Sequence, residues 1–161
     1  MADVEIIEAD LQRADHAAVV LSLVGQFTRD PMGGGVKLTD SARDALIPGL
    51  AAHPTTLVFL AFRDDEAIGI AVCFVGFSTF AAKPLINIHD LFVRDDARGH
   101  GVGRDLLDVV THKSQAIGGC KVTLEVQSSN HRAREIYAAA GFEPAVYQED
   151  AGRVIFLSKS I

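Results

Sequence analysis

The chain has 161 residues, 48% of them apolar, and 21 acidic against 15 basic side chains give a net charge of −6. That length fits a single domain, residues 1–161, with a core large enough to need no staples, and the composition excludes a disordered chain. The acidic balance argues against a nucleic-acid binder, which needs a basic face. The two cysteines, Cys73 and Cys120, form neither a disulfide framework nor a metal-ligand spacing.

The opening stretch MADVEIIEADLQ is acidic and carries no apolar signal core. The longest apolar run, Ile68 to Phe77, is interrupted by glycines and too short to span a bilayer. A cytoplasmic protein with no membrane partner and no nucleic-acid partner is the expectation.

Taken in chain order, Val4 to Ala9 alternates and predicts a strand. Leu11 to Val24 has helical spacing, with Asp10 as its N-cap. Gln26 to Leu38 holds Pro31 and the triplet Gly33, Gly34, Gly35, and predicts a loop. It lacks the Gly-Lys-Ser/Thr ending of a P-loop, leaving a flexible connection or a flap over a substrate site. Ser41 to His53 predicts a helix, with Ser41 and Asp44 as a capping box and Pro48 kinking or ending it.

Leu57 to Phe62 and Ala67 to Phe77 predict strands joined as a hairpin through Arg63-Asp64-Asp65-Glu66. Leu85 to Val93 predicts a strand, and Val102 to Ile117 an amphipathic helix. Val122, Leu124 and Val126 alternate as a strand, and Asn130 to Ala140 forms a helix stopped by Gly141. Short strands around Ala145 to Gln148 and Val154 to Ser158 complete the order. The sum is an α+β domain with a mixed central sheet of about seven strands flanked by four helices.

Three stretches carry chemistry. In the first, a strand runs into Arg98-Gly99-His100-Gly101-Val102-Gly103 and a helix follows at once. Glycines let a ligand approach the backbone, and a helix start offers free N–H groups and a positive dipole end. With Arg94, Arg98 and Arg104 around it, this is a site for a phosphate group. In the second, Ile86 and Ile88 share one parity while Leu91 and Val93 take the other. The phase change at His89-Asp90 predicts a β-bulge, unless both faces of the strand are buried and parity carries no meaning. In the third, Ala133, Ile136, Tyr137 and Ala140 share a helical face, which turns Tyr137 inward.

In this order and spacing the three stretches resemble the GNAT superfamily of acetyltransferases. Arg98-x-x-Gly101-x-Gly103 is similar to the family's acetyl-CoA motif, and Asn130-x-x-Ala133-x-x-x-Tyr137-x-x-x-Gly141-Phe142 to its later motif. The resemblance implies the GNAT (acyl-CoA N-acyltransferase) fold and acetyl-CoA as co-substrate. It implies that the backbone of Leu91, Phe92 and Val93 pairs with the pantetheine arm. Gly99, His100, Gly101, Val102, Gly103 and Arg104, headed by Arg98, would hold the pyrophosphate. Asn130 and Ala133 would flank the thiol end, and Tyr137 would protonate the departing thiolate.

The reaction implied is attack of a neutral amine on the thioester, in a ternary complex. An alkylamine with a pKa of about 10.4 arrives protonated, so a group must accept a proton. His89 and Asp90 are the candidates, since an imidazole titrates near neutral pH. His89-Asp90-Leu91-Phe92-Val93 resembles the Glu-Asp-Leu-Phe-Val type of the diamine and thialysine acetyltransferases, with His89 in place of the glutamate. His16, His53, His112 and His131 are expected at the surface, and no metal site is expected. The acceptor expected is a small-molecule primary amine. A protein lysine or N-terminal acetyltransferase and a non-catalytic acyl-CoA-binding domain are the alternatives. The family habit of pairing through sheet edges implies a homodimer.

Overall fold

The computed structural model describes residues 3–145, 150, 152 and 154–161. Strand β1 (Val4–Glu8) is followed by helices α1 (Ala14–Arg29) and α2 (Asp40–Ala52), with a short 3-10 turn at Pro31–Gly33 between them. Strands β2 (Thr56–Arg63), β3 (Glu66–Ser78) and β4 (Lys83–Val93) come next. A 3-10 turn at Asp95–Ala97, helix α3 (Val102–Ala116), strand β5 (Val122–Leu124) and helix α4 (His131–Ala139) complete the elements. The sheet runs β1-β2-β3-β4-β5, antiparallel except for the parallel β4–β5 pair. The expected mixed sheet and four α-helices are therefore present.

Two apolar layers cover the sheet. On one face Val20, Leu23 and Val24 of α1, at helical spacing, pack with Val58, Leu60, Ile70, Val72 and Phe92. On the other, Leu106, Leu107 and Val110 of α3 pack with Phe59, Ala61, Ala71, Cys73, Ile86 and Ile88. Close approach of α3 depends on Gly69: a Cβ there would stand 3.2 Å from Leu106 Cδ1 and 3.3 Å from the Phe92 carbonyl oxygen. The β2–β3 hairpin turns on Asp64 and Asp65, with φ of 52° and 63°. Two consecutive left-handed residues make the tight turn whose twist matches the strands, and aspartate tolerates that conformation.

Several boundaries differ from the sequence expectation. Five strands stand among the described residues, rather than about seven. The segment Val154 to Ser158 forms no strand, and Val154, Ile155, Phe156 and Leu157 are 52 to 79% exposed. Alternation records a capacity to pair, and no described strand lies beside them. The other expected strand, around Ala145 to Gln148, lies largely outside the described residues. Helix α1 continues to Arg29 and stops where Pro31 forces Asp30 into an extended conformation. Its N-cap is Arg13; Asp10 instead accepts from the Gln12 N–H, one turn earlier.

For α2 the cap is Thr39, whose Oγ1 accepts from the Ala42 N–H at 3.2 Å, rather than Ser41. Pro48 lies inside α2 and does not end it. Its ring frees the Asp44 carbonyl, and both residues sit on the exposed side, where water can replace the lost bond. Strand β5 stops at Leu124, short of Val126, because its partner β4 changes register beyond Ile88.

Candidate active site

The β4–β5 ladder joins Ile86 to Val122, Asn87 to Thr123 and Ile88 to Leu124, and ends there. On the other edge of β4, Val72 faces Asp90 and Cys73 faces Ile88, so His89 is an extra residue. This is the bulge that the parity change predicts. It brings Ile86, Ile88, Leu91 and Val93 all onto the α3 side of the sheet and leaves Phe92 on the α1 side. Beyond the bulge the strands part, and a cavity of about 760 Å³ opens between them. Leu91, Phe92 and Val93 form one wall; Leu124, Glu125, Val126 and Gln127 form the other.

One end of the cavity is the start of α3. Gly101 is its N-cap, with φ 86° and no side-chain cap, whereas Thr39 and Asn130 cap α2 and α4 with side-chain oxygens. The first N–H groups of α3 thus lack a side-chain partner and open onto the cavity with Gly99 and Gly103. The other end holds α4, where Asn130 Oδ1 accepts from the Ala133 N–H at 3.2 Å. Tyr137 is half-buried and packs on Phe142 with ring centroids 6.0 Å apart. Burial raises its hydroxyl pKa, so the phenol stays protonated through the neutral range.

Of the candidate catalytic and cofactor-binding residues, all but Asp90 and His100 line this cavity. His89 lines it, is exposed, and sets its ring edge against Phe74, 5.7 Å between centroids. Phe74 in turn meets His53 at 5.0 Å. Asp90 is half-buried beside His89. Burial raises its carboxyl pKa, and the His89 charge acts the other way. The buried thiol of Cys73 is pushed up to about 12, by burial and then by the Asp90 charge. The described residues contain no cluster able to hold a metal ion.

The three arginines expected around the phosphate site are largely committed elsewhere. Arg94 lies outside the cavity lining and pairs with Glu66 and Asp96, each at 2.7 Å. Arg104 bonds Asp108 and donates to the Ala139 carbonyl at 2.7 Å, tying α3 to α4. Arg98 donates to the Val93 carbonyl at 2.8 Å, pairs with Asp95, and reaches Asp30 Oδ2 at 2.8 Å. Burial would push the Asp30 carboxyl up, but the bonds from Arg98 and the Met32 N–H hold it lowered.

Asp30 also brings the segment after α1 to the cleft. Met32 lines the cavity, and its carbonyl accepts from Gln127 Nε2 on the far wall at 3.5 Å. The stretch read as either a connection or a flap therefore touches both walls. Phe27, Asp30, Met32, Glu125, Gln127 and Arg132 line the cavity without having been singled out from sequence. Arg132 and Glu125 sit inside or beside the matched motifs, and their charge was the available signal. Phe27, Asp30 and Met32 gave none, since their contacts are made across the fold.

An open strand edge, a bulge and an uncapped helix start along one cleft define a site for an elongated ligand that carries phosphate. Residues 27–142 match the model of the acetyltransferase (GNAT) family. An uncharacterized N-acetyltransferase, YhfO of Bacillus subtilis (strain 168), is 28% identical over 111 residues, 69% of this chain and 71% of that protein. The crystal structure of a probable acetyltransferase superposes with a TM-score of 0.78 at 20% identity, covering 97% of this chain and 99% of the other. The structure of AAC(6')-Iy in complex with the bisubstrate analog CoA-S-monomethyl-acetylneamine superposes with a TM-score of 0.77 at 20% identity, covering 99% and 100%. The chain belongs to the GNAT acetyltransferase family, and its enzyme class is N-acetyltransferase with acetyl-CoA as co-substrate. The cleft fits that molecule on its own evidence, since it offers backbone donors to a pyrophosphate and an unpaired strand edge to an amide-bearing arm.

Proposed function

We propose that the protein transfers the acetyl group of acetyl-CoA directly to the primary amine of a small molecule, within a ternary complex. The observation that carries this reading is the parting of β4 and β5 at the His89 bulge, with Tyr137 and His89 both lining the space it opens. Leu91, Phe92 and Val93 bind the pantetheine arm through their backbone. Gly99 to Gly103 and the start of α3 hold the pyrophosphate, and Ala133 flanks the thiol end.

Tyr137 protonates the departing thiolate, a role supported by a hydroxyl that burial keeps protonated. His89 takes the amine proton from one wall, directly or through water, and half-buried Asp90 is the second candidate acceptor beside it. Glu125, a carboxylate on the opposite wall, attracts the cationic form of the acceptor. A backbone N–H at the bulge stabilises the oxyanion of the attacked carbonyl. Direct attack is supported by the cysteines. No cysteine lines the cavity among the described residues, and the Cys73 thiol is buried and held far from ionisation at neutral pH.

A small acceptor is supported by the structural likeness to AAC(6')-Iy, an aminoglycoside N-acetyltransferase solved with a CoA-S-monomethyl-acetylneamine bisubstrate analog. The likeness of the His89 to Val93 segment to the diamine and thialysine subgroup supports an aliphatic amine. The test is acetyl-CoA turnover against a panel of diamines, amino acids, aminoglycosides and a lysine-containing peptide, with products weighed by mass spectrometry. Acetylation confined to the peptide would refute the small-molecule reading.

A further inference from the structure

A cation beside backbone donors strengthens phosphate binding, and the arginines flanking the α3 turn already have internal partners. Arg94 is paired to two acids, Arg98 is held by Asp30, Asp95 and the Val93 carbonyl, and Arg104 by Asp108 and the Ala139 carbonyl. Arg132 differs. It is exposed, lines the cavity, and forms no ion pair among the described residues. Its Nη2 stands 3.8 Å from the point that a Cβ on Gly99 would occupy, beside the turn that opens onto the cleft.

A second observation points the same way. Arg132 lies in the first turn of α4, next to His131 and with no acid in that turn. Cations at a helix N-terminus oppose the dipole and lower stability. A local rule broken in this way is expected where a site is served, here an anion drawn to two helix starts and a guanidinium.

We propose that Arg132 supplies the guanidinium that grips the pyrophosphate of acetyl-CoA, opposite the backbone donors of the α3 start. This rests on the reading of the cleft as the acetyl-CoA channel. The planar fork of arginine meets two phosphate oxygens at once, which an ammonium cannot do. Its neighbour Gly99 places it at the pyrophosphate rather than at the ribose 3′-phosphate farther along the molecule.

The experiment is calorimetric titration of CoA and of dephospho-CoA into the wild-type chain, Arg132→Ala and Arg132→Lys. Arg132→Ala is expected to weaken both ligands alike, by about tenfold, the effect of one charge-assisted bond at an exposed site. Arg132→Lys recovers part of that loss, and the melting temperature of Arg132→Ala stays at or above wild type. Wild-type affinity in Arg132→Ala, or a loss confined to CoA that spares dephospho-CoA, would overturn the assignment. Failure of the wild-type chain to bind either ligand would overturn the channel reading and this inference together.

Discussion

Ile88 and Leu124 are the last partners on the β4–β5 ladder, and the residue after Ile88 is the bulged His89. Because β4 gains a residue there, its next amides cannot keep register with β5. The edge that opens carries Leu91, Phe92 and Val93, and the cavity between the strands is the consequence.

Tyr137→Phe removes one hydroxyl and keeps the ring against Phe142. The expected result is a kcat lower by roughly 10²–10⁴-fold, the usual worth of a positioned acid, with CoA affinity retained. Single-turnover kinetics and calorimetry on the same variant check it. A lower melting temperature with kcat intact would make Tyr137 a packing residue only.

His89→Ala should cost most near neutral pH. The loss should shrink as pH approaches the amine's own value of about 10.4, where free amine needs no base. The readout is a pH–rate profile of variant over wild type. A ratio constant across pH would reduce His89 to positioning.

For Asp90 the sign of the pH effect follows from burial. Its carboxyl pKa is raised in the folded chain, with His89 partly opposing the shift. The folded state therefore holds that proton more tightly than the unfolded state does. Stability is fully present below the unfolded value of about 3.9 and is lost as pH rises through the folded value. Asp90→Asn stays neutral, so its melting temperature relative to wild type should be higher at pH 8 than at pH 3. A variant destabilised at pH 8 would show instead that the ionised carboxylate is favourably bonded.

At Gly103 a Cβ meets only Val93 Cγ2, at 3.8 Å, so the fold accepts a side chain there. Gly103→Glu should leave the melting temperature near wild type and weaken CoA at least tenfold, because the carboxylate faces the phosphates at the helix start. Wild-type affinity by calorimetry would remove the α3 start from the binding site.

Much of the candidate site was legible because its signals are local. The parity change at His89-Asp90, the spaced glycines before Val102 and the helical face holding Tyr137 each lie within a few residues. The structure brings all three to one cavity. Charge partners were not legible. Arg98 meets Asp30 across the α1 and α3 connections, and nothing near Arg98 announces it. Spacing alone therefore placed three arginines at the phosphate site, while Arg132, which it did not single out, stands beside Gly99. The strand expected at Val154 to Ser158 failed for a related reason. Val154 to Leu157 has the composition of a strand, but pairing depends on a neighbour that composition does not name.

The most direct test of the central claim is the initial-rate pattern when acetyl-CoA and an accepted primary amine are varied together. Direct attack in the β4–β5 cleft predicts intersecting double-reciprocal lines and no acetylated protein after incubation with acetyl-CoA alone. Parallel lines, with an acetyl-enzyme trapped by mass spectrometry, would contradict it and require a covalent relay through a nucleophile of the chain.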